Sequence, residues 1–312
     1  MAASDLRGQL MYRLYRTLST LIGIAPEWLG QAVGLVVGEI TARRASRPFE
    51  LRVRHVERVL ASRSPVVAPD PAVVRRWARR SFRAYARYWV EGGRLPAVPT
   101  DEVVARMTVE RGYEHLQRAM ASGTGMILAL PHVGSWEWGG TYLAAEGYPM
   151  TAVAERIEPP AFFDWLVAQR RAMGLTIVPL GSGSSRAILN TLRQGGLVGL
   201  VCDRDIEGNG VPVVFFGEAT TLPGGPATLA LRTGATLCTA AVYSGPGSFH
   251  VGVIMPPIDT ARRGPLREDV ARVTAEIARQ LEQLIFRAPE QWHLYQPNWP
   301  ADLVEGATAD DR

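Results

Sequence analysis

Leu128-Ala-Leu-Pro-His-Val-Gly-Ser-Trp-Glu137 reads as the carboxyl end of a buried strand, a turn and the first turn of a helix. The apolar run Met126–Pro131 is short and bounded by turn residues, as a buried strand is. Runs of the same kind recur at Thr151–Glu155, Thr176–Leu180, Leu197–Asp203, Val211–Phe216, Leu237–Tyr243 and Phe249–Met255. Helical patterns fall between most of them, at 136–146, 160–173, 184–194, 224–233 and 266–288. Strand and helix in alternation predict an α/β fold, with a central, largely parallel sheet flanked by helices. Sites in such folds lie at the carboxyl ends of the strands.

His132 follows the first of these strands at that edge, and Glu137 sits in the first helical turn behind it. A carboxylate can hold one imidazole nitrogen and leave the other free to take a proton. The helix N-terminus could bind an anion or steady an oxyanion. Asp203 follows the apolar run from Leu197 and should emerge at the same edge. It could orient an acceptor hydroxyl or support the imidazolium, or it could simply cap a turn.

The amino-terminal part has a different character. Residues 1–100 hold 17 Arg and 7 acidic residues, a net charge of +10, whereas the remainder carries −6. The chain has no Lys, which fits a GC-rich genome. A basic end on an acidic body points to a polyanionic surface, either lipid headgroups or nucleic acid. Tyr85, Tyr88 and Trp89 interleave with the Arg series of residues 75–87, but no base-reading motif accompanies them, so nucleic acid is not expected as a partner. The apolar run Leu18–Ile40 is broken by Pro26, Glu27 and Glu39, which argues against a transmembrane helix. Two amphipathic helices in the membrane interface fit better, with Arg13 and Arg16 toward headgroups and Leu14, Tyr15, Leu18, Leu21 and Ile22 on the other side. A helix packed on the protein's own core is the alternative. These signals divide the chain into interfacial helices at 1–43, an α/β unit at 44–303 (helical cap 44–104, sheet core 105–303) and a disordered tail at 304–312.

Several chemistries find no support. Cys202 and Cys238 lie on separate apolar stretches and read as buried core thiols. The five His show no metal-ligand spacing. Gly181-Ser-Gly-Ser-Ser-Arg186 lacks the third glycine of a dinucleotide fingerprint. There is no Gly-x-Ser-x-Gly elbow of a serine hydrolase.

Together the motifs resemble the lipid A biosynthesis (late) acyltransferase family, and more closely its actinobacterial branch, the phosphatidylinositol mannoside acyltransferases. The resemblance runs from about Tyr85 to Leu303. It is carried by Tyr85-Ala-Arg-Tyr-Trp89 with Arg94-Leu-Pro96, Leu130-Pro-His-Val-Gly-Ser-Trp-Glu137, Val153-Ala-Glu-Arg156, Asp203-Arg-Asp205, Phe215-Phe-Gly-Glu218, Gly225-Pro-Ala227 and Trp292-His-Leu-Tyr-Gln-Pro-Asn-Trp299.

The resemblance implies palmitoyl-CoA as acyl donor and co-substrate, with no cofactor. It implies the 6-hydroxyl of the mannose on the inositol 2-position of phosphatidylinositol mono- or dimannoside as acceptor. His132 matches the general base, Glu137 the motif acid and Asp203 a second carboxylate. Arg170, Glu155 and His293 match positions lining the acceptor site. The implied enzyme is a monomer bound peripherally to the cytoplasmic face of the cell membrane. This chain departs from that branch in one respect: Glu137 and Asp203 stand where the branch usually has Asp and Glu. A different glycolipid or lysophospholipid acceptor, a thioesterase, or an idle membrane-interaction protein on the same fold are the rival readings.

Overall fold

The computed structural model of the chain describes residues 3–63, 67–181 and 183–307. Its strands are β1 (Met107–Arg111), β2 (Met126–Leu130), β3 (Met150–Ala154), β4 (Thr176–Pro179), β5 (Leu197–Val201), β6 (Val211–Phe215), β7 (Glu218–Leu222), β8 (Thr236–Ser244) and β9 (His250–Ile254). Seven of them form one sheet in the order β1-β9-β8-β2-β5-β3-β4, and only the β8–β9 pair is antiparallel. The largely parallel sheet read from the sequence is present.

Both faces of the sheet are covered, which is why its central strands are continuous apolar runs rather than alternating ones. Ile127 and Ala129 of β2, with Val198 and Leu200 of β5, pack under α9 (Ser184–Arg193), α10 (Gly225–Thr233) and α11 (Leu266–Arg287). Met126, Leu128 and Leu130 point to the opposite face. There they meet α5 (Thr100–Ala105), α6 (Tyr113–Ala121) and α7 (Trp136–Ala145) through Val103, Leu116, Trp138 and Leu143. The two-residue period of the strand assigns each side chain to its layer. Cys202 and Cys238 are buried and unpaired in these layers.

Two strands differ from the sequence reading. In Met107-Thr-Val-Glu-Arg111 only Met107 is buried, because β1 is an edge strand. Val211–Phe216 was expected within the alternation, but β6 pairs only with β7, in a separate hairpin. Its two-residue loop, Phe216 and Gly217, has positive φ at both positions (51° and 80°), the twist that tight hairpins require. The inner residues Val213 and Phe215 are buried in the α11 side of the core.

The N-terminal segment forms α1 (Ala3–Ile24) and α2 (Glu27–Arg44), and among the described residues no helix is long and apolar enough to cross a membrane. The expected split into a polar and an apolar face is not what α2 shows. Its packed face is Gly30, Gly34, Gly38 and Ala42, while Leu35, Val36, Val37 and Ile40 face outward. Small residues let it lie close on α4 (Pro71–Arg94): a Cβ on Gly38 would stand 2.7 Å from the Phe82 carbonyl oxygen. In α1, Leu14, Leu18 and Leu21 are exposed, whereas Tyr15 turns inward against Trp89 and Trp165.

Beyond α3 (Ser46–Ala61) and α8 (Pro160–Ala172), the chain closes with α12 (Pro300–Ala307). That helix extends into the segment read as a disordered tail, of which residues 308–312 lie outside the described part. The buried Asp302 explains its order: it accepts from His55 Nε2 at 3.1 Å, from Arg58 Nη1 at 2.9 Å and from the amides of Asn298 and Trp299. This anchor holds the stretch from Trp292 to Trp299 against the sheet.

Candidate active site

β2 and β5 are neighbours in register, with Leu130 opposite Val201. His132 and Asp203 each stand two residues beyond that pair, so the register brings both to one point of the carboxyl edge. His132 Nδ1 is 2.5 Å from Asp203 Oδ1, and the His132 amide donates to Asp203 Oδ2 at 2.9 Å. The Trp292 indole donates to Oδ2 at 2.6 Å. The Asp203 side chain is completely buried while that of His132 is 38% exposed, so solvent and substrate can reach the ring but not the carboxylate. Burial alone would raise the Asp203 pKa. The His132 charge and the hydrogen bonds from His132 and Trp292 outweigh it, and the pKa lies below the ordinary 3.8. An ionised Asp203 makes Nδ1 the protonated ring nitrogen and leaves Nε2 as the available base.

The turn between His132 and α7 is pinned on both sides. Gly134 has φ +59°, and a Cβ there would stand 2.0 Å from the Val242 carbonyl oxygen, so only glycine lets the chain pass β8 so closely. The Gly134 amide donates to Gln291 O at 2.9 Å and the Ser135 amide to Val242 O at 3.0 Å. Both amides are thereby spent on the backbone.

Of the two carboxylates considered for holding the imidazole, it is Asp203 that bonds His132 Nδ1. Glu137 Oε1 accepts instead from Arg170 Nη2 at 2.9 Å and from the Tyr88 hydroxyl at 2.8 Å, and its Oε2 is buried without a partner. Burial works against the Arg170 charge, but the Glu137 carboxylate more than compensates and the pKa rises. Burial, and then the Glu137 charge, hold the Tyr88 hydroxyl protonated well above its ordinary 10.0.

His293 joins the same cluster. Its amide donates to His132 O at 2.6 Å, its ring packs on Tyr85 and Tyr88, and its Nδ1 is buried without a partner. Burial, then the Arg52 and His132 charges, push its pKa down to about 3, so it is a neutral hydrogen-bonding group near pH 7. Glu155 follows β3, one strand past β5 on the same edge, and is half-exposed; Arg204, next to Asp203, donates to its Oε2 at 2.8 Å. His132, Asp203 and His293 thus share one cluster, joined through Tyr88 to Glu137 and Arg170, with Glu155 at its margin.

The sequence reading gave no role to three residues that shape this site: Tyr88, Trp292 and Asn298. Asn298 Nδ2 donates to the Asp203 main-chain oxygen at 3.1 Å. Tyr88 and Trp292 lie in quoted motifs, but an indole or phenol looks like core packing until its polar atom has a partner.

The sequence profile of the bacterial lipid A biosynthesis acyltransferases matches residues 11–300. The chain belongs to that family. Its members are acyltransferases, and this protein is an O-acyltransferase. It is 36% identical over 275 residues to the phosphatidylinositol mannoside acyltransferase of Mycobacterium tuberculosis, covering 86% of this chain and 82% of the relative. It is 34% identical over 303 residues to the protein of the same name from Mycolicibacterium smegmatis, covering 96% and 95%. A lipid A biosynthesis acyltransferase of Haemophilus influenzae is 26% identical over 184 residues, 58% of this chain and 55% of that one.

The depressed pKa of Asp203 has a consequence for acid stability. Its contribution is complete above the ordinary value of 3.8 and is lost as pH falls through the lower folded value. Asp203→Asn should be less stable than wild type at pH 7, with the gap closing in acid below about pH 4. Denaturant melts across pH 2–7 measure this; parallel pH profiles for the two proteins would count against a charged Asp203.

Proposed function

We propose that this acyltransferase moves a fatty acyl group, palmitoyl in the first instance, from acyl-CoA to the 6-hydroxyl of the 2-linked mannose of a phosphatidylinositol mannoside. The observation that carries the chemistry is the His132–Asp203 pair, a partly exposed imidazole held through Nδ1 by a buried carboxylate. The acceptor follows from relatives of that name that match nearly the whole chain. In this reading Nε2 takes the proton of the mannose hydroxyl as its oxygen attacks the thioester carbonyl. Asp203 steadies the imidazolium. The new C–O bond forms, the C–S bond breaks, and the coenzyme A thiolate leaves with the proton held by His132. No acyl-enzyme and no cofactor are called upon. Arg170, Glu137 Oε2, Glu155 and the neutral His293 are the groups for acceptor hydroxyls and phosphate.

A small apolar pocket of about 40 Å³, enough for the first carbons of a donor chain, lies between the sheet and α7. Leu128, Leu130, Trp136, Leu143 and Val242 line it, together with Pro131 and Val133 on either side of His132. A thioester held with its carbonyl at His132 would place the start of its chain against these walls.

The same reading places the protein, as a monomer, at the cytoplasmic face of the membrane. Of the seventeen large apolar side chains exposed among the described residues, twelve lie on α1 and α2. A cluster of that size on two adjacent helices is a surface to be covered. Arg43 and Arg83 border Leu35, Val36 and Ile40 on it, and the α4 row Arg75, Arg76, Arg79 and Arg80 continues the basic margin. Apolar residues in the acyl region with Arg at the headgroups match an interfacial helix pair.

Two measurements test this reading. Purified protein with palmitoyl-CoA should release thiol only when phosphatidylinositol mannoside is present, and His132→Ala should lower that rate at least ~10²-fold, the scale of a lost general base. Release without acceptor would make it a thioesterase. For the membrane surface, Leu35→Ser/Val36→Ser/Ile40→Ser should abolish co-sedimentation with vesicles of anionic phospholipid; unchanged sedimentation would move the contact elsewhere.

A further inference from the structure

A second apolar space lies apart from that small pocket. It is a groove of about 860 Å³ between α1, α2, α4 and the start of α8, within the ~300–1,000 Å³ typical of small-molecule sites. Its outer walls include Leu18, Val33 and Val37, which are also part of the exposed apolar surface of α1 and α2. Its inner walls include Tyr15, Tyr85 and Trp89. Two of the hydroxyls along it are spent on the backbone, Ser19 on Gly93 O at 3.1 Å and Thr41 on Val37 O at 2.8 Å. An aliphatic occupant suits such walls.

The inner end of the groove is one layer of side chains from the chemistry. The Tyr85 ring lies 5.4 Å from the His293 ring and 6.1 Å from that of Tyr88. His293 bonds the His132 main chain and Tyr88 bonds Glu137, which holds Arg170. The groove therefore runs from the exposed apolar surface to Tyr85, whose ring packs on the polar cluster at the carboxyl edge. A molecule that spans it has an aliphatic part at one end and a hydroxylated, anionic part at the other.

We infer that this groove holds the fatty acyl chains of the acceptor lipid, drawn part-way out of the bilayer so that its headgroup reaches His132. The inference rests on the acyl-transfer reading above. The groove opens on the exposed apolar faces of α1 and α2, the side from which a bilayer lipid enters, whereas the small pocket flanking Pro131 and Val133 lies on the sheet side of α7. Val33 and Val37 sit on the exposed side of α2, so larger side chains there narrow the groove without entering the sheet core.

The test compares transfer from palmitoyl-CoA to diacyl phosphatidylinositol mannoside and to its deacylated, water-soluble counterpart. Wild type should prefer the diacyl acceptor by at least about tenfold in kcat/KM, through KM, because each buried methylene strengthens binding. Val33→Phe/Val37→Phe should collapse that preference severalfold. A preference that survives in the double variant overturns the inference, as does a change in the acyl-CoA chain length it accepts, which would put the donor chain in the groove. If wild type transfers to neither acceptor, the acyl-transfer reading fails, and binding alone then decides the groove. Bromine-labelled dioctanoyl phosphatidylinositol, below its micelle concentration, should quench tryptophan fluorescence in wild type through Trp89, with most of the quench lost in the double variant. Equal quenching in both proteins would contradict the inference.

Discussion

One buried negative charge organises the site. Asp203 has no exposed side-chain surface, and a carboxylate left unpaired in such a place is costly by several kcal/mol. Its donors come from distant parts of the chain: His132 after β2, and the Trp292 indole near the carboxyl end. Satisfying the charge therefore fixes the imidazole, the turn after β2 and the C-terminal segment at once. The same segment is secured by a second buried carboxylate, Asp302, through His55 and Arg58 of α3. Sheet, helical cap and C-terminus meet around these two acids.

Asp203 and Glu137 divide the work by their partners. Asp203 faces a titratable ring and leaves that ring's other nitrogen free. Glu137 faces a guanidinium and a phenol that both stay protonated, and keeps one oxygen unbonded. The first arrangement suits proton transfer and the second suits holding a polar ligand. The register of β2 against β5 makes this division possible, because it brings residue 203, not 137, level with residue 132.

Much of this was legible in the sequence. Strands buried on both faces announce themselves as apolar runs, so β2, β3, β4, β5, β8 and β9 and the helices between them were readable, and His132 and Asp203 fell at their ends. Edge strand β1 was not, since Thr108, Glu110 and Arg111 face away from the core. The pairing of His132 with Asp203 rather than Glu137 depends on strand order, which local pattern does not contain. The glycine face of α2 was present in the letters Gly30, Gly34, Gly38 and Ala42. Reading it as the buried side required knowing that α4 lies 2.7 Å from where a Cβ would be.

An ionised Asp203 fixes the His132 tautomer, and nitrogen NMR of histidine-labelled protein at neutral pH reads that directly. The His132 ring should show a protonated Nδ1 and an unprotonated Nε2 in wild type, and Asp203→Asn should perturb that signature. A His132 ring protonated only at Nε2, or a spectrum indifferent to the substitution, would contradict the assignment of His132 as the base oriented by Asp203.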